Sequence, residues 1–155
     1  MADERIFTAF NFQVDIFGIN VPGVSTPVCR AAFAECDGLE VSLEAKSFQQ
    51  GGLNTEQVHL AGKVSYAQLT LKRGMSADLG LWRWFNEVMK TNQRGMRAQI
   101  RVVMLGADRE PQLTFNLKDC LPTKLRAPGL NAREGVIAIE EMQIVYAALN
   151  MEFPS

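Results

Sequence analysis

The sequence predicts a mainly β protein: an antiparallel β-sandwich or small barrel of six to seven strands with one α-helix packed on it. Three observations point there. Segments in which polar and apolar residues alternate recur along almost the whole chain. Only one segment carries a helical period. Helix and strand patterns never alternate in the repeating order that builds a parallel, doubly wound sheet.

The elements follow in order. Phe10, Phe12, Val14 and Ile16 alternate with Asn11, Gln13 and Asp15, as in a half-buried strand. Pro22, Gly23 and Pro27 mark residues 20–27 as a loop, and residues 31–36 are weakly strand-like. Asp37-Gly38 signals a hairpin, after which Leu39, Val41, Leu43 and Ala45 alternate with Glu40, Ser42, Glu44 and Lys46. Residues 47–63, with Gly51, Gly52 and Gly62, hold no firm period and read as a long loop, a class of segment that is often functional. Alternation returns with Ala67, Leu69 and Leu71 against Tyr66, Gln68, Thr70 and Lys72, and stops at Gly74. Ser76 or Asp78 is placed to cap a helix. Leu81, Trp82, Phe85, Val88 and Met89 are read as its apolar stripe, and the helix should end near Asn92. Trp84, about 200° further round an ideal helix than Trp82, is expected to be exposed. Two more strands follow, through Ala98–Met104 and Leu113–Leu117, joined by a turn at residues 106–108. A connection punctuated by Pro122 and Pro128 leads to a last strand over about residues 136–149. Glu140 and Glu141 are adjacent in it, so one of them should point inward or mark a bulge.

Length and composition set bounds. A chain of 155 residues is expected to form one domain, residues 1–155, with the long loop at about 47–63. At this size it buries roughly 68–70% of the surface of its unfolded form, enough to fold without disulfides or metal. The net charge of −1 speaks against a strongly basic nucleic-acid binder. Cys29, Cys36 and Cys120 are an odd number, and the N-terminal residues show no leader-like apolar run, so the thiols are expected to be reduced in a cytoplasm. No window approaches the ~18 apolar residues of a spanning helix, so no stable membrane insertion is expected.

No catalytic or cofactor constellation emerges. His59 is the only histidine and falls in the long loop, where an exposed or interfacial imidazole is the ordinary reading. The cysteines lack a C-x-x-C spacing, and one histidine leaves a zinc site short of usual ligands. Glu40 and Glu44 share a strand face, but a solvated sheet face explains them better than a carboxylate pair for catalysis. Gly51-Gly52 lacks the strand–glycine–helix setting of a phosphate loop. Trp84, as an exposed indole, would mark an interface. The polar faces are rich in long and amide side chains, which fits either an ordinary wet sheet or a wall lining a water-filled space.

Several segments together carry a family resemblance: residues 10–14 (FNFQV), 34–39 (AECDGL), 50–54 (QGGLN), 60–62 (LAG), 69–74 (LTLKRG), 81–84 (LWRW), 122–124 (PTK), 130–132 (LNA) and 137–140 (IAIE). In this order and spacing the chain resembles the tail tube proteins of contractile-tailed bacteriophages and the inner tube proteins of contractile injection systems. Gln50 stands where the family often has an acidic residue, and Ala61 where it often has proline. The resemblance implies a non-enzymatic structural protein, without cofactors or metal, that forms homohexameric rings. With about four strands per subunit spaced ~4.8 Å apart, such a ring would have a backbone diameter of roughly 37 Å. Rings would stack into a tube inside a phage tail or injection particle. Its partners would be further copies of itself, a contractile sheath protein meeting the outer surface and part of the helix, baseplate or hub, tape-measure and cap proteins, and DNA or effector protein in the lumen. The related alternative is a type VI secretion-like ring that carries effectors; a small hydrolase is the remote one. Expected at the contact between rings are Phe48, Gln49, Gln50, Gly51, Gly52, Leu53, Asn54 and His59. Expected on the lumen face are Asn11, Gln13, Asp15, Glu40, Ser42, Glu44, Gln68, Thr70 and Lys72. Leu81, Trp82, Phe85 and Val88 are expected to anchor the helix.

Overall fold

The computed structural model describes residues 12–17, 29–31, 33–48, 51, 56–75, 79–91, 97–133, 135 and 137–153. Along the chain run β1 (Phe12–Phe17), β2 (Cys29–Ala31), β3 (Glu35–Asp37), β4 (Val41–Phe48), β5 (Val58–Tyr66), β6 (Leu69–Gly74), α1 (Gly80–Thr91), β7 (Ala98–Leu105), β8 (Pro111–Arg126), β9 (Ile139–Val145) and β10 (Ala148–Glu152). All pairings are antiparallel. Eight strands form one connected sheet in the order β2-β1-β7-β8-β9-β6-β3, with β10 also on β8, while β4 and β5 form a separate hairpin.

The long strand β8 joins two halves of the sheet. Its first part pairs with β7 and β10, and its second part, from Leu121, pairs with β9. Two register shifts lie near the change of partner. Between Leu117 and Cys120 one extra residue is accommodated, and Asp119 there has φ 52°. The second shift falls between Pro122 and Lys124. Bulges of this kind bend a strand and let it change sheets. Pro122 therefore lies inside a strand rather than in the connection expected from sequence. A proline is tolerated where the ladder is already interrupted.

The bend folds the two halves over a common core. Val14, Ile16, Ile100, Val102 and Leu117 come from one half, Leu69, Leu71, Met142 and Ile144 from the other, and Leu81 and Trp84 from the helix. The alternation of β1, β6, β7 and β9 is the cause: every second side chain points into this cluster. The helix begins at Gly80, so its expected cap at Ser76 or Asp78 lies outside the described residues, and it runs to Thr91, one residue short of the expected end.

Four readings are corrected. Ten strands are present among the described residues, against six or seven expected. The expected last strand is two, β9 and β10, separated at Tyr146-Ala147. The side chain of Tyr146 is turned into the fold, and its hydroxyl donates to the Gly38 carbonyl at 2.9 Å; the continuous apolar run hid this break. Ser47, Phe48 and residues 58–63 are strand, not loop. Finally, Asp37-Gly38 makes no hairpin. β3 pairs with β6, and the chain then leaves that sheet to begin β4.

Gly38 is where it leaves. Its φ is +99°, and a Cβ there would lie 2.0 Å from the Gln68 carbonyl oxygen. Both the backbone conformation and the close approach require glycine. Replacing Gly38 by Ala is expected to cost more than about 3 kcal/mol, through left-handed strain and displacement of β6. Urea unfolding of the dilute chain measures it; a midpoint unchanged from wild type would contradict this geometry.

Candidate functional site

The hairpin of β4 and β5 is built unlike the rest of the chain. All eight residues of β4 are exposed. Val41 at 49%, Leu43 at 58% and Leu60 at 52% are large apolar side chains open to solvent, and Phe48 and Val64 resemble them. The sequence pattern that predicts a half-buried strand is present, but no described part of the chain buries it. Among the described residues the hairpin is anchored at its base. There the Ala67 amide donates to the Glu40 carbonyl at 3.1 Å, and the Tyr66 ring packs at a tilt against Tyr146 with centroids 5.4 Å apart. Desolvation of its buried ring raises the Tyr146 hydroxyl above its ordinary pKa, so it stays a donor at neutral pH.

Of the residues expected between rings, Phe48 ends β4, Gly51 is exposed in a turn beyond it, and His59 is exposed on β5 opposite Ser47. Gln49, Gln50, Gly52, Leu53 and Asn54 lie outside the described residues. Phe48, Gly51 and His59 thus gather toward the far end of one hairpin.

The residues expected on one lumen wall lie on three surfaces. Gln13 and Asp15 are on β1; Asn11 lies outside the described residues. Asp15 is only 9% exposed, which corrects its expected place on an open wall. It stands in register between Arg30 and Arg101, and the Gln13 amide donates to it at 3.4 Å. Ser42 and Glu44 belong to the hairpin, and Glu40 lies just before it. Gln68 precedes β6 and donates to the Thr123 hydroxyl at 2.7 Å, while Thr70 and Lys72 lie on β6.

Around Lys72 the structure reveals an order that the sequence did not announce. Glu35, Lys72, Glu141 and Arg126 stand side by side across β3, β6, β9 and β8. Asp37, Thr70, Gln143 and Lys124 form the next row. Opposite charges on neighbouring strands are favourable cross-strand pairs, and the Lys72 ammonium lies 3.4 Å from Glu35. Three carboxylates face three cations, so this face carries no net charge. Only the register brings these distant residues together.

The helix corrects the assignment of the two tryptophans. Trp84 is 0% exposed and Trp82 is half-buried. Leu81, Trp84, Phe85 and Val88 follow the i, i+3, i+4, i+7 rule, and that signal was available in the sequence. Trp82 instead donates its indole N–H to the Glu140 carboxylate at 2.5 Å, while the Arg73 guanidinium donates to the other carboxylate oxygen. Glu140 is 1% exposed and Arg73 2%, so the glutamate that points inward is Glu140, and its charge is compensated within the fold. Arg73 also lies over the Phe33 ring, 5.7 Å from its centroid. On the outer side of the helix Leu79, Trp82, Phe85, Met89 and Leu125, with Arg83 and Asn86, line an open apolar groove of about 490 Å³.

Burial pushes the Cys36 and Cys120 thiols up to about 12, so they stay protonated and poorly nucleophilic at neutral pH. No group of three or more His, Cys, Asp and Glu side chains among the described residues is arranged to hold a metal ion. No helix among them is long and apolar enough to cross a membrane.

Known proteins share this architecture. The fold superposes on a chain of the anti-feeding prophage baseplate with a TM-score of 0.77 and 23% identity, covering 99% of this chain and 98% of that one. It superposes on a chain of the PVC sheath-tube complex of an extracellular contractile injection system with a TM-score of 0.77 and 19% identity, covering 97% and 94%. Hcp1 from Salmonella typhimurium is more distant, with a TM-score of 0.54 and 14% identity over 92% of this chain and 87% of that one. No curated protein sequence is significantly similar. The model of the T4-like virus tail tube protein gp19 family matches residues 8–150. With nearly its whole length matched, and a fold to agree, the chain belongs to the T4-like tail tube protein gp19 family.

Proposed function

We propose that this tail tube protein forms homohexameric rings that stack into the hollow inner tube of a contractile phage tail or injection particle. The observation that carries the reading is the hairpin: two paired strands with apolar side chains that no described part of the chain covers. A lone two-stranded ribbon is marginal in water. Exposed apolar surface and open strand edges of this kind mark a place where another chain binds. Membership of a tail tube family makes further copies of the same chain the partner, and closure into a ring removes the open edges.

The reading extends to the other surfaces. The charge-balanced face around Lys72 suits a conduit wall, because a lining without net charge neither holds nor repels a passing polymer over distance. DNA and effector protein both remain acceptable cargo for such a wall. The apolar groove beside Trp82 and Met89 is the proposed seat of the sheath, and the baseplate or hub, tape-measure and cap proteins would meet the tube at its ends and in its lumen. Nothing in this role requires catalysis, a cofactor or insertion into a membrane by the subunit itself. The likeness to structures of a sheath-tube complex and a baseplate supports incorporation into such a particle; synthesis in a bacterial cytoplasm is part of the proposal. A type VI-like ring is the second reading, supported by the more distant likeness to Hcp1.

Light scattering across a concentration series tests the ring. Particles of six times the 17.2 kDa chain mass, followed by larger multiples of that unit, are expected. A single species of one chain mass at every concentration, with no polymer on a baseplate template, overturns the proposal. Deleting Gln49 to Gly52 should leave the ring and the thermal midpoint intact and abolish stacking. Tubes indistinguishable from wild type would remove that loop from the contact between rings.

A further inference from the structure

We propose that Glu140 is a latch for Trp82. Within the folded subunit the indole is held on the buried carboxylate in one form and released to solvent in a second, less populated form, so that one wall of the outer groove is a movable part. The device belongs to the single chain and stands whether or not a sheath protein occupies the groove.

Its parts run from the core to the surface. Phe33 is buried, and the Arg73 guanidinium lies 5.7 Å from its ring centroid. Arg73 on β6 stands directly across from Glu140 on β9. The Glu140 carboxylate divides its oxygens: Oε1 accepts from Arg73, and Oε2 accepts from the Trp82 indole at 2.5 Å. The first three residues are buried and Trp82 is half-buried. Trp82 also lines the groove, with Leu79, Phe85, Met89 and Leu125. It therefore touches a buried ion pair and open surface at once.

Two features let this contact open alone. The first is what remains behind. When the indole leaves, Glu140 keeps Arg73 and Arg73 keeps Phe33, so no buried charge loses its compensation. A water molecule that follows can donate to the freed oxygen. The loss is one hydrogen bond to a charged group, which makes the open form about ten to a hundred times less populated than the closed one. The second feature is how the helix is held. Leu81 and Trp84 are buried in the core cluster, and Phe85 and Val88 pack against it. This stripe carries the helix without Trp82, which lies at its margin.

The groove depends on the latch through its two walls. One wall is the helix. The other is β8, where Leu125 stands in register with Met142. Met142 is two residues beyond Glu140, on the same face of β9. The hydrogen bond thus ties a groove-lining ring on the helix to the strand beside the opposite wall. Apolar packing has no direction and lets a marginal ring turn; a hydrogen bond to the carboxylate fixes its angle. Released, the indole leaves the wall.

Hydrogen exchange of the Trp82 indole N–H tests the latch. It is read by ultraviolet resonance Raman in heavy water, below the concentration at which the chain assembles. The chain has two tryptophans, and the difference between wild type and Trp82→Phe isolates Trp82. Protection of about ten- to a hundredfold over a free indole is expected, the value set by local opening. It should be the same in mild urea and in Gly38→Ala, because neither changes the latch. Arg73→Met with Glu140→Leu removes the acceptor without leaving a charge, and should bring protection close to that of a free indole. Protection that falls in step with global stability, in Gly38→Ala or in urea, would show that the contact opens only on unfolding and overturns the proposal. An unprotected wild-type indole, or one equally protected after the double replacement, overturns it as well: the contact is then absent in solution, or packing rather than Glu140 holds the ring. No partner is present in these measurements, so the sheath reading of the groove stands or falls separately.

Discussion

Replacing Trp84 by Ala is expected to destabilise the isolated subunit by about 3–5 kcal/mol, the range for emptying a large aromatic site in a closed core. Trp84 has no exposed surface and packs in the cluster where the helix meets both halves of the sheet. Trp82→Ala is expected to cost less. It removes a half-exposed ring and one hydrogen bond to Glu140, a loss of about 1–3 kcal/mol. Denaturant unfolding of both variants, below the concentration at which they assemble, gives the comparison. A larger loss at Trp82 than at Trp84 would mean that the helix presents a different face to the core.

The second large effect is expected at Glu140. Replacing it by Leu removes the carboxylate that faces the buried Arg73 guanidinium and accepts from Trp82. Taking one partner from a buried ion pair costs about 3–5 kcal/mol, because the remaining charge loses its compensation away from water. The double replacement, Arg73→Met with Glu140→Leu, removes both charges and should recover most of that loss. A double-mutant cycle on unfolding free energies reads the coupling directly. Additive effects of the two single changes would show that the pair is not coupled.

The arrangement of Arg73, Glu140 and Trp82 also shows what the sequence conceals. Adjacent Glu140 and Glu141 announce that one carboxylate points inward, because neighbours on a strand face opposite ways. The partners of the inward one lie many residues away, on another strand and on the helix, and only the pairing of β6 with β9 identifies them. The charge rows around Lys72 are concealed in the same way. Period-two patterns were legible in β1, β6, β7 and the start of β8, because one face of each meets the core. They misled in β4, where the same pattern serves a surface that the single chain leaves open. Residues 58–63 read as loop because the alternation of β5 is carried partly by small and polar residues, His59, Ala61, Gly62 and Lys63. Val58 and Leu60 look isolated in the sequence until β4 is placed beside them.

The residues expected on the lumen face lie apart for a related reason. Polar faces of Gln13, Ser42 and Thr70 look alike along a sequence, yet they belong to β1, the hairpin and β6, on separate surfaces. Trp84 was misplaced although its spacing from Leu81 and Val88 carried the correct face. Trp82, counted in the stripe beside Leu81, lies at its margin and reaches Glu140.

The central claim is that this chain closes into rings and stacks into a conduit. Negative-stain electron microscopy of the purified protein across a concentration series tests it most directly. The account predicts hollow rings and tubes of one constant diameter with a stain-filled channel. Featureless single subunits at every concentration, persisting when a baseplate template is supplied, would contradict it.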